Sequence, residues 1–218
     1  MKKFKRLSVL IDNPDSWFNM YTDELAKILE KYCVEVVFLQ NQNELLRGDI
    51  LFILSCTKIL KKKALSFHGN NIVVHASDLP AGKGWSPWAW QVEKGINDIT
   101  LTLFEASTEP DSGGYYIKDH VCLNGTELID LIRLKIEKKI IEMIEQFLSK
   151  YPIKVISQKG KETFYRRRRY KDNELDIKET IESQFNKMRV ADNEKYPLFF
   201  LMRGKRYKFK IYEYPESE

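Results

Sequence analysis

At 218 residues with 43% hydrophobic content, the chain is long enough to bury one sizeable core and a small appendage without disulfide staples. Its charged residues, 31% of the total, are well mixed, so the formal net charge of +5 reads mostly as solvated surface. Three features narrow the class. No segment approaches the roughly 20 apolar residues that span a bilayer, and the apolar run Leu7 to Ile11 stops at Asp12, too short for a signal peptide. Cys33, Cys56 and Cys122 show neither a paired CxxC nor zinc-like spacing to histidine, so a reduced, cytoplasmic protein with no metal and no membrane partner is expected.

The first hundred residues alternate apolar strands with helical stretches, the pattern of a parallel sheet covered by helices. Ser8 to Ile11 reads as a strand, and a loop with Asn13, Pro14 and Asp15 follows. From Thr22, a helix brings Leu25, Ile28, Leu29 and Tyr32 onto one face. Val34 to Leu39 and Asp49 to Leu54 are buried-strand runs. Helical character is expected over Thr57 to Phe67, then a strand from Asn71 to His75 that delivers a histidine into a loop.

Ser86 and Pro87 read as N-cap and first residue of a helix reaching Gly95. Ile99 to Phe104 is again a strand, followed by a loop with Glu109, Pro110, Asp111, Ser112, Gly113 and Gly114. A long helix begins near Thr126, with Ile129, Ile132, Ile136, Ile140, Ile144 and Phe147 on one face, and ends at Pro152. Beyond it lie one helix (Ile181, Phe185, Met188) and a hairpin in which Leu198 to Arg203 and Arg206 to Tyr212 flank Gly204. A boundary near Lys150 divides the chain into 1–150, a catalytic domain, and 151–218, a short C-terminal subdomain. His68 and His120 read as ordinary surface histidines.

In open parallel sheets, ligands gather outside the carboxyl ends of strands. By that rule the loops after Leu54, His75 and Phe104 share one crevice. The run Arg166 to Arg169 reads first as solvated surface, because four consecutive side chains point in several directions; its alternative role is to meet phosphates or a polyanion.

The stretch His75 to Pro87 reads His-Ala-Ser-Asp-Leu-Pro-Ala-Gly-Lys-Gly-Trp-Ser-Pro, and a later loop reads Asp111-Ser-Gly-Gly. This resembles the methionyl-tRNA and sugar formyltransferase family, whose signature is His-x-Ser-x-Leu-Pro, a basic residue with Gly, then a Pro, and downstream an Asp-x-Gly loop. His75, Ser77, Leu79, Pro80, Lys83, Gly84, Pro87, Asp111 and Gly113 fall at the family's spacings. Gly95 to Leu103 matches its Gly-x-x-x-x-Thr-Leu segment. The resemblance is strong over 50 to 120 and weaker in the tail, at Tyr165 to Leu175 and Met188-Arg189-Val190. It implies a Rossmann-like α/β fold, a mostly parallel sheet with helices on both faces, with a small C-terminal helix-and-hairpin appendage. It also implies transfer of a formyl group from 10-formyltetrahydrofolate to an amine.

The chemistry explains the residue types. An amine attacking a formamide carbon must lose a proton, and the oxyanion of the tetrahedral intermediate needs donors. A histidine oriented by a carboxylate can handle that proton, and His75 with Asp111 is the expected pair. Taken alone, a histidine at a strand end is more often structural, and Asp111 before Ser and two glycines is a good turn residue. The family's asparagine two residues before the histidine is replaced by Val73; Ser55, Ser77 or a backbone N–H is left to supply its hydrogen bond. Lys83 stands where an arginine is usual, keeping charge but losing the planar fork.

By the same resemblance, the pterin enters between the loop after Leu54 (Ser55, Cys56, Ile59) and the loop of Ala106, Thr108 and Glu109. Ser16, Trp17, Ser77, Lys83 and Trp85 are the residues expected at the acceptor. The roughly 68 residues after Lys150 are too few for the barrel domain of a tRNA-formylating member, so an amino sugar, nucleotide-linked, is the expected acceptor, for surface glycan synthesis. A nucleic-acid partner is not expected, and a homodimer is left open. Two alternatives stand beside this reading: a family member that binds folate or sugar without catalysis, and a tRNA- or RNA-binding relative using the basic tail.

Overall fold

The computed structural model describes residues 3–214. Six strands, β1 (Phe4–Leu10), β2 (Cys33–Leu39), β3 (Gly48–Ile53), β4 (His68–His75), β6 (Asp98–Glu105) and β7 (Tyr115–Cys122), form one sheet in the order β2-β1-β3-β4-β6-β7. β1 pairs in parallel with β2 and β3, and β3 with β4; β6 runs antiparallel to both β4 and β7.

Side-chain alternation gives the sheet two buried faces. On one, Leu7, Val9, Ile50, Phe52 and Ile72 pack against Leu25 and Leu29 of α1 (Thr22–Leu29) and the apolar stripe of α4 (Ile129–Lys150). On the other, Leu10, Leu51 and Ile53 gather with Leu45, Leu60 and Ala64, the last on α2 (Lys62–Leu65). The result is a mixed α/β fold with a mostly parallel sheet between helices.

Between β4 and β6 the chain forms the two-residue strand β5 (Lys83–Gly84) and the helix α3 (Pro87–Glu93). After α4, β8 (Phe164–Tyr165) pairs in parallel with β5. β9 (Glu174–Leu175), β10 (Leu198–Met202) and β11 (Lys205–Phe209) make a second sheet beside α5 (Ile181–Arg189), around Leu175, Met188, Ala191 and Leu198. The β10–β11 turn has positive φ at Arg203 (50°) and Gly204 (76°), the backbone of a type I′ hairpin. Arg189 is fully buried and joins this region to the first: it donates to Glu127, Asn97 and Asn186.

Several expectations change. The helix over Thr57 to Phe67 shrinks to α2, because the Asp12 carboxylate takes the N–H groups of Thr57 and Lys58 at 2.7 and 2.8 Å and holds that stretch as a loop. Ser86 precedes α3 with Pro87 at its start, but its backbone is left-handed and its side chain makes no cap bond. α4 begins at Ile129 rather than Thr126, since Asn124 and Glu127 fold the intervening residues into a turn. β7 carries no clear sequence signal, its residues being mostly half-buried. His68 is not a surface residue: it is buried, with Nε2 2.9 Å from Ser8 Oγ, and burial lowers its pKa to about 4. His120 is exposed and lies 3.2 Å from Asp98. No helix among the described residues is long and apolar enough to cross a membrane.

Candidate active site

Alternation along β4 turns Ile72 and Val74 to the main core and Val73 to the smaller apolar cluster, with His75 on the side of Val73. The β3–β4 ladder ends at Ile53 and Val73, so His75 stands two residues beyond it. Its Nε2 lies 2.9 Å from the Gly82 carbonyl oxygen. A carbonyl can only accept, so Nε2 carries hydrogen, and in the neutral ring the lone pair is on Nδ1. Nδ1 faces Asp111 Oδ1 at 3.8 Å, with the two side chains 11% and 17% exposed.

Asp111 arrives by a route that the crevice rule does not describe. β6 runs against β4, so its carboxyl end, Glu105, lies beside Ile72, and the loop 106–114 must climb back to reach His75. Asp111 takes a left-handed backbone, φ 53°. Its Oδ2 accepts the Gly84 N–H at 2.9 Å. Gln158 Nε2 donates to the carbonyls of Asp111 and Gly113 at 3.0 and 2.7 Å. A Cβ on Gly113 would collide with the Glu105 carbonyl oxygen, so the close turn excludes a side chain there.

The two loops expected around a pterin share an apolar floor. Cys56, Val73 and Ala106 all pack against the cluster of Leu10, Leu51, Ile53 and Leu60. Ile59 is 58% exposed, and Thr108 and Glu109 are exposed on the other loop. Cys56 donates to the Leu10 carbonyl, and burial pushes its thiol up to about 12. Ser55 has φ 53° and accepts from the Ser16 hydroxyl at 2.7 Å.

The residues expected at the acceptor are dispersed in character. Trp17 is half-buried against the core and meets Phe18 and Tyr21 edge-on. Ser77 is buried under Gly82, its hydroxyl without a partner among the described residues. Lys83 is enclosed, 3% exposed, with its ammonium on Glu162 at 2.6 Å and Ser112 Oγ at 2.9 Å, so it offers no free cation to a phosphate. Trp85 is 39% exposed under the Arg167 guanidinium. Arg166 and Arg168 lie over the Trp90 ring and pair with Asp172 and Glu93, which absorbs most of the basic run into local structure. Sequence reasoning missed Gln158, Glu162 and Asp12, three polar residues in segments without pattern, whose partners lie 45 to 79 positions away. A concavity of about 480 Å³ lined by Tyr115, Lys118, Lys154 to Ser157 and Lys159 includes neither His75 nor Asp111.

No family model matches the chain. It is 29% identical over 152 residues to the methionyl-tRNA formyltransferase of Thermosipho melanesiensis, covering 68% of this chain and 49% of that protein. The chain thus spans about half the length of that relative, and 38% of the Buchnera aphidicola methionyl-tRNA formyltransferase it also matches. Among solved structures, a methionyl-tRNA formyltransferase from Clostridium thermocellum superposes with a TM-score of 0.81 at 21% identity, covering 98% of this chain and 95% of that one. HypX from Aquifex aeolicus in complex with tetrahydrofolic acid gives 0.77 at 16%, covering 94% and 37%. A sugar N-formyltransferase from a Shewanella species gives 0.71 at 10%, covering 98% and 99%. The chain is thus similar in sequence to methionyl-tRNA formyltransferases, and it shares its fold with methionyl-tRNA and sugar N-formyltransferases.

Proposed function

We propose that the protein transfers the formyl group of 10-formyltetrahydrofolate to the amine of an amino sugar, nucleotide-linked. The observation that carries the reading is the His75–Asp111 pair, in which the Gly82 carbonyl fixes the Nε2–H tautomer and leaves Nδ1 turned to the carboxylate. The donor supplies an activated one-carbon unit on nitrogen. As the acceptor nitrogen bonds to the formyl carbon, His75 Nδ1 takes the proton that nitrogen sheds. The imidazolium so formed faces the Asp111 carboxylate, which stabilises it. The C–N bond to the folate then breaks, and the proton goes to the leaving nitrogen. Folate binding is supported by the apolar surface to which Cys56, Val73 and Ala106 contribute and by the tetrahydrofolic acid bound in the structurally similar HypX. With Lys83 enclosed, recognition of an acceptor phosphate falls to other groups; exposed Trp85 offers a face for a sugar ring.

A sugar N-formyltransferase shares the fold over 99% of its chain, which is in keeping with a small acceptor. The curated relatives favour a second reading, in which the acceptor amine belongs to an aminoacyl-tRNA. One experiment separates them: free amino sugars, nucleotide-linked amino sugars and methionyl-tRNA are each incubated with 10-formyltetrahydrofolate, and products are weighed for the gain of one formyl group. Formylation of a sugar supports the first reading, formylation of the tRNA alone supports the second, and no formylated product removes both.

A further inference from the structure

We propose that Gln158 is a positioning residue that holds the Asp111 carboxylate in register with His75. The inference deepens the function above, since it rests on that pair as the proton-handling unit.

A non-glycine residue in the left-handed region is uncommon and persists where its surroundings over-determine it. Asp111 is such a residue, with φ 53°. Gln158 is bound to the turn that strains it: both of its donors are engaged, with the carbonyls of Asp111 and Gly113 on either side of Ser112. A side-chain amide has two N–H groups and no more. Its Oε1 is buried and finds no partner among the described residues. An orphaned buried acceptor is destabilising, so a side chain serving only to fill space there would better be apolar. The residue is useful for its donors.

The segment that carries Gln158 is anchored without it. Ile156 and Tyr115 exchange two backbone hydrogen bonds, both 2.8 Å. Lys83 adds a second restraint on the turn through Ser112 Oγ. The turn's carboxylate then divides its oxygens, Oδ2 to the Gly84 N–H and Oδ1 toward His75. That geometry tolerates little displacement, because a misplacement of about 1 Å at a reacting centre can lower a rate by about 100-fold. Gln158 hydrogen-bonds the Asp111 and Gly113 carbonyls, and its influence on His75 runs through Asp111.

The test uses the full chain and two variants. Gln158→Leu removes the donors, and Gln158→Glu keeps the shape while turning acceptors toward two carbonyls. The readouts are the amide signal of Gly84 and the ring-nitrogen signals of His75 in ¹⁵N-resolved NMR spectra, with Asp111→Ala as reference. Both variants are expected to move these signals as Asp111→Ala does, while the amides of Tyr115 and Ile156 stay in place. If Gln158→Leu fails to fold, the isosteric variant decides. Unmoved Gly84 and His75 signals, where Asp111→Ala moves both, overturn the proposal. With any acceptor the formylation panel identifies, kcat should fall by about 10- to 100-fold while KM for the folate stays within about twofold; an unchanged kcat overturns it too. A wild-type chain that formylates nothing removes the function reading alone, because the spectra answer for Gln158 without turnover.

Discussion

The Ser16 hydroxyl donates to the Ser55 hydroxyl at 2.7 Å, tying the loop after β1 to the loop after β3. Ser16 Oγ also accepts the Phe18 N–H, so the hydrogen of Ser55 is the one left to point elsewhere. Strand register sets its level: Ile53 pairs with Val73, and Ser55 and His75 each stand two residues further on. Ser55 is therefore the candidate to replace the hydrogen bond that Val73 cannot make. Ser55→Ala should lower kcat for formyl transfer by about 100-fold, the usual effect of one lost oxyanion donor, and Val73→Asn in that background should restore part of it. A Ser55→Ala enzyme with wild-type turnover would show that the donor lies elsewhere.

His75 and Asp111 make different contributions and should separate on substitution. His75→Ala removes the proposed proton acceptor and should reduce kcat by about 100- to 10,000-fold. Asp111→Asn keeps a hydrogen-bonding side chain for the Gly84 N–H but withdraws the charge facing Nδ1, so a smaller loss in kcat with unaltered folate affinity is expected. Steady-state kinetics and a direct folate titration check both. Equal turnover for Asp111→Asn and wild type would reduce Asp111 to a turn residue.

The fold was legible where burial is symmetric along the chain and obscure where it depends on a distant neighbour. β1, β3 and the stripe of α4 announce themselves by periodicity because they meet apolar surface throughout. The direction of β6 does not, since an antiparallel strand buried on both faces has the same composition as a parallel one. His68 reads from sequence as a surface residue because its burial is made by Gly48, where a Cβ would come within 2.8 Å of the ring, and by Ser8 of β1. The approach of His75 and Asp111 to 3.8 Å in the candidate site was legible because the motif residues around them are restricted in backbone geometry and chemistry together. Gln158 could not, for its two partners are 45 and 47 positions away and nothing local constrains it.

Arg189 is 0% exposed and faces Glu127, 1% exposed, at 3.3 Å. Burial lowers the Arg189 pKa. Burial also pushes the Glu127 carboxyl up, but the Lys135 ammonium and the N–H groups of Asn124 and Gly125 outweigh it and hold the group down at about 2. Glu127 therefore keeps partners when Arg189 is removed, whereas Asn97 and the Glu127 carbonyl lose theirs. Arg189→Met should destabilise the chain by about 3 kcal/mol, at the lower end for a broken buried pair. Urea unfolding measures it. A change below about 1 kcal/mol would mean that the guanidinium is not what joins α5 to the first sheet's helices and loops.

Two buried groups pull stability in opposite directions over one pH range. Glu137 is 0% exposed with both carboxyl oxygens unpartnered among the described residues, and burial, with Glu24 nearby, raises its pKa from 4.5 to about 7. Between those values the native state holds a proton that the unfolded chain has released, so this group lowers stability as pH rises. His68 is shifted from 6.5 to about 4, first by burial and then by Arg6. Across that window the unfolded chain holds the extra proton, so this group raises stability as pH rises. Each shift corresponds to roughly 3 kcal/mol, and the opposing slopes nearly cancel between pH 4.5 and 6.5. Glu137→Gln should leave the His68 slope exposed, giving a chain whose urea midpoint climbs from pH 4.5 to 6.5. His68→Asn should give the reverse, a midpoint that falls over the same range and on to pH 7. Identical pH profiles for wild type and Glu137→Gln would show that the carboxyl is ionised with a partner in solution and carries no such shift.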